Sequence, residues 1–235
     1  MRGKLIVIEG TDCSGKETQT KLLIEKLRKE GFNINNFSFP NYESATGKII
    51  GGPYLGKEYI CDSYFEEGPA KVLPKVASLY YAADRVYNID KINSLLNKGC
   101  HVILDRYVYS NMAHQGGKIE DKKERKKMYD FLHALEFDLL SLPEADVLIF
   151  LHMPTDLAQK LKEGRAEMPD GHERDINHLK NAERAYIEIS EKYNMKLIEC
   201  ALDGKVRDIE SIGNDVYDYV TNEINSYKNS KLMKK

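Results

Sequence analysis

"IEGTDCSGKETQ", residues 8–19, decides how the rest of the chain reads. It places Gly10, Gly15 and Lys16 at the spacing of a phosphate-binding loop, G-x-x-x-x-G-K-[ST]. The position after the lysine normally carries a hydroxyl that helps hold Mg²⁺. Here it is Glu17, and the hydroxyl follows one place later at Thr18. Three readings are open: a working nucleotide site with an altered metal shell, an inactive site, or a chance glycine turn. The flanks favour a real loop. "KLIVIEG" (4–10) before it is nearly all apolar, as a strand covered on both faces requires, and residues 16–30 after it have helical spacing. In that context the glycines let backbone N–H groups turn inward onto phosphate oxygens. The start of the helix adds its positive dipole end, and Lys16 reaches the β- and γ-phosphates.

Outward from this loop, apolar runs alternate with helical patterns. The runs are 4–10, "INNFSFP" (34–40), "HVILD" (101–105), "DVLIFLHM" (146–153) and "MKLIEC" (195–200). Helical spacing covers 16–30, 70–97, 120–141, 176–193 and 207–228. Gly31 and Gly99 stand where helices stop before strands. This alternation predicts a parallel sheet of five strands with crossover helices on both faces. No repeat and no linker divides the chain, so residues 1–235 read as one domain. Residues 51–69, rich in Gly and Tyr, read as a surface loop or short insertion, and 229–235 as a frayed tail. The basic stretch 121–130 alternates charge along a helix and reads as a solvated face.

Bulk composition narrows the function. The chain has 235 residues, 42% hydrophobic and 31% charged, with a formal net charge of −2. That balance gives no general attraction to nucleic acid or anionic membrane, so neither is expected as a partner. No apolar run approaches the ~20 residues of a membrane span, and the apolar stretch at the N-terminus ends too early for a signal peptide. Cys13, Cys61, Cys100 and Cys200 lie far apart, without metal-site spacing, which suits a reducing cytoplasm.

Ligands of open parallel sheets sit beyond the carboxyl ends of the strands. The segments there are 10–19, 39–47, 105–115 and 153–175. Asp12 is unusual, because a carboxylate inside a phosphate cradle repels the ligand. It either shapes the loop as an Asx-turn or faces a hydroxyl of a second substrate, and the second reading is preferred. Asp105 stands at a strand end where an acid can serve Mg²⁺. Arg106 can grip a phosphate with two prongs. Taken alone, an Asp-Arg pair is more often a surface ion pair; the longer "DRYVYSNMAHQ" (105–115) is far more specific.

With these stretches assembled, the sequence resembles thymidylate kinases, in the nucleoside monophosphate kinase group of P-loop enzymes. The resemblance is carried by "EGTDCSGKETQ" (9–19), "FPNY" (39–42), "LYYAADR" (79–85), "DRYVYSNMAHQ" and "GHERD" (171–175), and spans about residues 4–200. It implies an α/β fold of P-loop NTPase type with a mobile lid at about 160–175. The implied reaction transfers phosphate from ATP to dTMP with Mg²⁺, in a homodimer. It implies that Gly10, Thr11, Asp12, Cys13, Ser14, Gly15, Lys16, Glu17 and Thr18 form the ATP-facing loop, with Asp12 also reaching the 3′-hydroxyl of dTMP. Phe39 would pack by the nucleotide and Tyr42 touch its 5′-phosphate. Tyr81 would stack on the pyrimidine while Tyr80 joins the core. Arg85 would donate to a base carbonyl and Asn111 read the base edge, with Ser110, His114 and Gln115 beside it. Arg106 would hold the acceptor phosphate and Asp105 would serve the metal; Glu17, outside the family pattern, either joins the metal shell through a bound water or faces solvent and leaves the metal to Asp105 and the phosphates.

Three departures from the family pattern matter. Cys13 replaces an arginine that some relatives use on the transferring phosphoryl, which makes Arg165 of the lid the leading substitute and Arg174 the second. Asp170 and Glu173 match acidic lid positions. His114 stands where many relatives place a tyrosine against the sugar. Glu17 replaces the metal-binding hydroxyl. The alternatives are a kinase of the same fold acting on another nucleoside monophosphate or a deoxynucleoside, and a non-catalytic nucleotide-binding module.

Overall fold

The computed structural model describes residues 2–162 and 175–232. The lid residues Arg165, Asp170, Glu173 and Arg174 lie outside them. Five strands form one parallel sheet: β1 (Leu5–Gly10), β2 (Ile34–Ser38), β3 (His101–Asp105), β4 (Val147–His152) and β5 (Lys196–Glu199). Their order is β2-β3-β1-β4-β5. The strand reversal falls beside β1, so its carboxyl end and that of β3 open onto one crevice, where the phosphate loop leaves the sheet.

Two apolar layers clasp the sheet. On one face Ile6, Ile8, Ile103, Ile149 and Leu151 pack on α1 (Lys16–Lys29) and α8 (Ile209–Leu232) through Leu23, Leu27, Val216 and Val220. On the other, Leu5, Val7, Leu104 and Phe150 pack on α3 (Pro74–Asn97), α4 (Val108–Gly117), α5 (Lys122–His133) and α7 (Ile176–Lys192). β1 is buried at all six residues, which is why it reads as an apolar run broken only by Glu9. Shorter elements complete the chain: α2 (Ala45–Ile49), α6 (Thr155–Lys162), and a hairpin of β6 (Ala201–Leu202) and β7 (Lys205–Val206).

The structure departs from the sequence reading at four places. The motif 105–117 contains helix α4, buried along nearly its whole length, with its polar face of Ser110, Asn111, His114 and Gln115 turned to an internal cavity instead of solvent. A Cβ on Gly117 would stand 2.9 Å from backbone of Asn181, so α4 and α7 approach at a distance only glycine allows. The 51–69 segment is not simply a surface loop. A π-helical turn, Ile50–Tyr54, seats Ile50 and Tyr54 in a third core with Leu55, Val72 and Ala77. The 120–141 pattern is two pieces, α5 and a π-helical turn Ala134–Leu139. The backbone of α8 continues to Leu232, into the stretch read as frayed. Among the described residues, no helix is long and apolar enough to cross a membrane.

Candidate active site

The loop after β1 has the form of an anion cradle. Gly15 adopts φ +74° at the start of α1, and Cys13 also lies in the left-handed region at φ +56°. A Cβ on Gly10 would meet Ser14 Oγ at 2.5 Å and Leu151 O at 3.1 Å, so the loop closes only around glycine. Ser14 Oγ is buried with no hydrogen-bond partner. Lys16 Nζ pairs with Asp105 Oδ1 across the β1–β3 seam. Burial and the nearby Arg106 charge lower the Lys16 pKa, and Asp105 works against that shift.

The structure divides the loop residues by task. The Thr11 hydroxyl, expected among the ATP contacts, is spent on β4's end: it donates to Met153 O and accepts from Met153 N, both at 2.8 Å. Glu17, a candidate for the metal shell, lies on the exposed side of α1 and pairs with Lys21 at 2.6 Å. One helical turn separates the two, so they meet in solvent. Thr18 beside it is exposed as well. Cys13 packs at the margin of the α1–α8 core.

Arg106 forms the floor between this loop and a second cavity. Its backbone sits at φ +68°, a conformation that costs a non-glycine residue about 1–3 kcal/mol. The guanidinium reaches Tyr186 OH (3.1 Å), Ser110 Oγ (3.3 Å) and the Asp12 carboxylate (3.6 Å). Burial opposes the Arg106 charge, but Tyr186, Asp12, Asp105 and Glu9 outweigh it and raise its pKa. Glu9, wholly buried, anchors the floor. It accepts from Tyr107 N (2.8 Å), Ser110 N (3.1 Å), Tyr186 OH (3.1 Å) and Ser110 Oγ.

The cavity beyond Arg106 is lined by Asp12, Phe39, Tyr42, Tyr81, Arg85, Ser110, Asn111, His114 and Gln115, the residues expected on the substrate side. Asp84 braces the loop carrying Phe39 and Tyr42 by accepting from Asn41 N (2.8 Å), Ser44 Oγ (2.9 Å) and Thr46 Oγ1 (2.8 Å). Tyr81 lines the cavity and meets Tyr54 edge-on at 5.9 Å. Tyr80 packs on Tyr54 and Phe65. His114 stacks on His178 of α7, with Nδ1 3.2 Å from Nε2. Asn111 Oδ1 and both polar atoms of the Gln115 amide are buried without a protein partner, so the cavity holds hydrogen-bonding capacity for a ligand.

Sequence reasoning missed Glu9, Asp84, Glu136, Tyr186 and His178. Glu9 had a signal: it is the one carboxylate in an otherwise apolar strand, directly before the loop glycine. Asp84 lies within 79–85, where its neighbour Arg85 is the more conspicuous charge. Glu136 and Tyr186 lie on helical patterns where nothing local marks them.

A glycine-shaped loop at the carboxyl end of a central parallel strand, facing a polar and aromatic cavity across a shared arginine, has the architecture of a P-loop protein. Comparison with known proteins narrows the class. The family model for thymidylate kinase matches residues 8–210. A thymidylate kinase of Schizosaccharomyces pombe is 31% identical over 221 residues, 94% of this chain and 93% of that protein. One from Plasmodium falciparum is 34% identical over 158 residues, 67% of this chain and 65% of that protein. A solved thymidylate kinase structure from Candida albicans, at 24% identity, covers 94% of this chain and 92% of its own with a TM-score of 0.70, and so shares the fold. The chain belongs to the thymidylate kinase family, phosphotransferases with a phosphate group as acceptor.

Proposed function

We propose that this chain phosphorylates dTMP to dTDP with ATP, and that Lys16, Asp105 and Arg106 carry the transfer. The observation that supports this most is the position of Arg106. It touches Asp12 of the phosphate loop on one side and lines the substrate cavity on the other. A monophosphate held there presents an oxygen to the γ-phosphorus of a nucleotide in the loop. The oxygen–phosphorus bond forms in line as the bond to the β,γ-bridging oxygen breaks, and ADP leaves. No covalent enzyme intermediate is needed; positioning and charge neutralisation suffice. Lys16 and Arg106 offset the charge on the transferring group. Arg165, or else Arg174, supplies the charge that Cys13 cannot.

The donor set suits Mg²⁺. Among the described residues no cluster of three or more His, Cys, Asp or Glu side chains could hold a metal. Mg²⁺ in such sites takes one or two carboxylates with substrate phosphates and waters, and Asp105 beside Lys16 is the carboxylate in place. Bound there, Mg²⁺ would neutralise phosphate charge.

The same reading includes a homodimer in the cytoplasm. Val76, Leu79 (52% exposed), Val86 and Tyr87 (64%) leave one side of α3 apolar and open, a face that a second copy of the chain would cover. The four cysteines are all free thiols. The test is an assay of ADP release with a panel of nucleoside monophosphates. Fastest turnover of dTMP is expected, with dUMP next. Equal turnover of dTMP and AMP overturns the substrate, and ATP binding without turnover favours a non-catalytic module.

A further inference from the structure

Glu136 lies on the Ala134–Leu139 turn, outside every stretch that carries the family resemblance, and is completely buried. It holds two cavity residues at once. Its carboxylate takes Arg85 Nε and Nη2, the latter at 2.6 Å, and its Oε1 also accepts Asn111 Nδ2 at 3.0 Å. The same Nδ2 donates to Ser78 O at 3.2 Å. The Asn111 amide therefore cannot be reversed, because Oδ1 would then face a carboxylate and a carbonyl, acceptor against acceptor. The remaining corner of that rigid amide, Oδ1, is buried and unpartnered in a residue that lines the cavity. Next to this acceptor stands Arg85, which only donates. Gln115 is different: neither of its polar atoms has a protein partner, so nothing fixes its polarity.

A fixed acceptor beside a fixed donor matches one kind of pyrimidine edge. A keto pyrimidine offers N3–H next to a carbonyl oxygen. An amino pyrimidine offers the inverse, a bare N3 next to an amino group. We propose that Glu136 is the positioning residue that sets this polarity, and that through Asn111 and Arg85 it makes the cavity select thymine and uracil monophosphates over cytosine monophosphate. This rests on the dTMP reading above.

The test compares kcat/KM for dTMP and dCMP in wild type and Glu136→Gln. The glutamine keeps the shape, but its amide nitrogen opposes Arg85 Nε in the place of Oε2, or both Arg85 Nη2 and Asn111 Nδ2 in the place of Oε1, so in either orientation the donor–acceptor pair loses its common anchor. Mispaired polar edges discriminate strongly in buried sites, so the dTMP-to-dCMP ratio should fall by about tenfold or more. The KM for ATP should stay near wild type. A variant that loses rate on both substrates alike, with the ratio intact, overturns the proposal and leaves Glu136 structural. Wild type that ignores dTMP defeats the underlying reading instead. If Glu136→Gln does not fold, binding of dTMP and dCMP to Glu136→Asp decides. That variant keeps the charge but draws it back from Asn111, and weaker discrimination supports the proposal, whereas unchanged discrimination overturns it.

Discussion

Replacing Glu9 with glutamine isolates what the buried carboxylate does under Arg106. Oε1 can go on accepting from Tyr107 N and Ser110 N, so the backbone loses nothing. The change falls on Oε2, which accepts from the hydroxyls of Ser110 and Tyr186. An amide nitrogen there donates, and both hydroxyls already accept from Arg106 Nη1. They can satisfy one another at 2.8 Å, but only one can donate, so one buried O–H is orphaned. That costs about 1–3 kcal/mol, and two bonds to a charge become neutral contacts, at a loss of about 1 kcal/mol each. Relief from burying the carboxylate offsets part, leaving a net loss of about 2–4 kcal/mol. For a chain of this size that is roughly 5–15 °C in Tm. Thermal melting reads it directly. The kcat/KM for dTMP should fall with it, because the Ser110 and Tyr186 hydroxyls that hold Arg106 lose the carboxylate that orients them. Tyr186→Phe removes one hydroxyl and should cost about 1 kcal/mol. A Glu9→Gln protein that melts within a degree of wild type refutes this account of the site's floor.

Four further outcomes are expected. Gly10→Ala drives a Cβ onto Ser14 Oγ and should weaken ATP binding by about tenfold or more with a smaller effect on dTMP, measured by calorimetry of each ligand. Glu17→Ser removes only a solvent pair with Lys21, so a Mg²⁺ titration of turnover should match wild type; a shifted curve places Glu17 in the metal shell after all. His152 has its pKa raised above 6.5, chiefly by its bond to Glu183 and against burial, with Glu199 adding to the rise. A raised folded pKa contributes stability that is complete below 6.5 and lost as pH rises through the folded value. The Tm deficit of His152→Gln should therefore be larger at pH 6 than at pH 9, and an equal deficit at both removes the ion pair from the explanation. Leu79→Glu puts a charge in the open apolar stripe of α3 and should convert a dimer to a monomer in sedimentation, while an unchanged sedimentation coefficient excludes that face.

The sequence by itself determined the sheet and the phosphate loop. Buried parallel strands must be apolar on both faces, and a loop that folds around phosphate must place glycine where a side chain collides; both demands act on neighbouring residues. The cavity residues Phe39, Tyr42, Tyr81, Arg85, Asn111 and His114 were legible through motif resemblance, not through any local pattern. Tertiary structure alone decided how they are held. Glu9 and Ser110 are 101 residues apart, Arg85 and Glu136 are 51 apart, and Arg106 and Tyr186 are 80 apart. A carboxylate on a helix reads as a solvated charge until the fold removes water and presents it with a guanidinium. Glu17 shows the converse: the loop motif assigns its position to the metal, and the turn of α1 carries its side chain out to Lys21. Hydrogen-bond polarity depends on which donors and acceptors converge in space, and spacing along the chain holds no record of that.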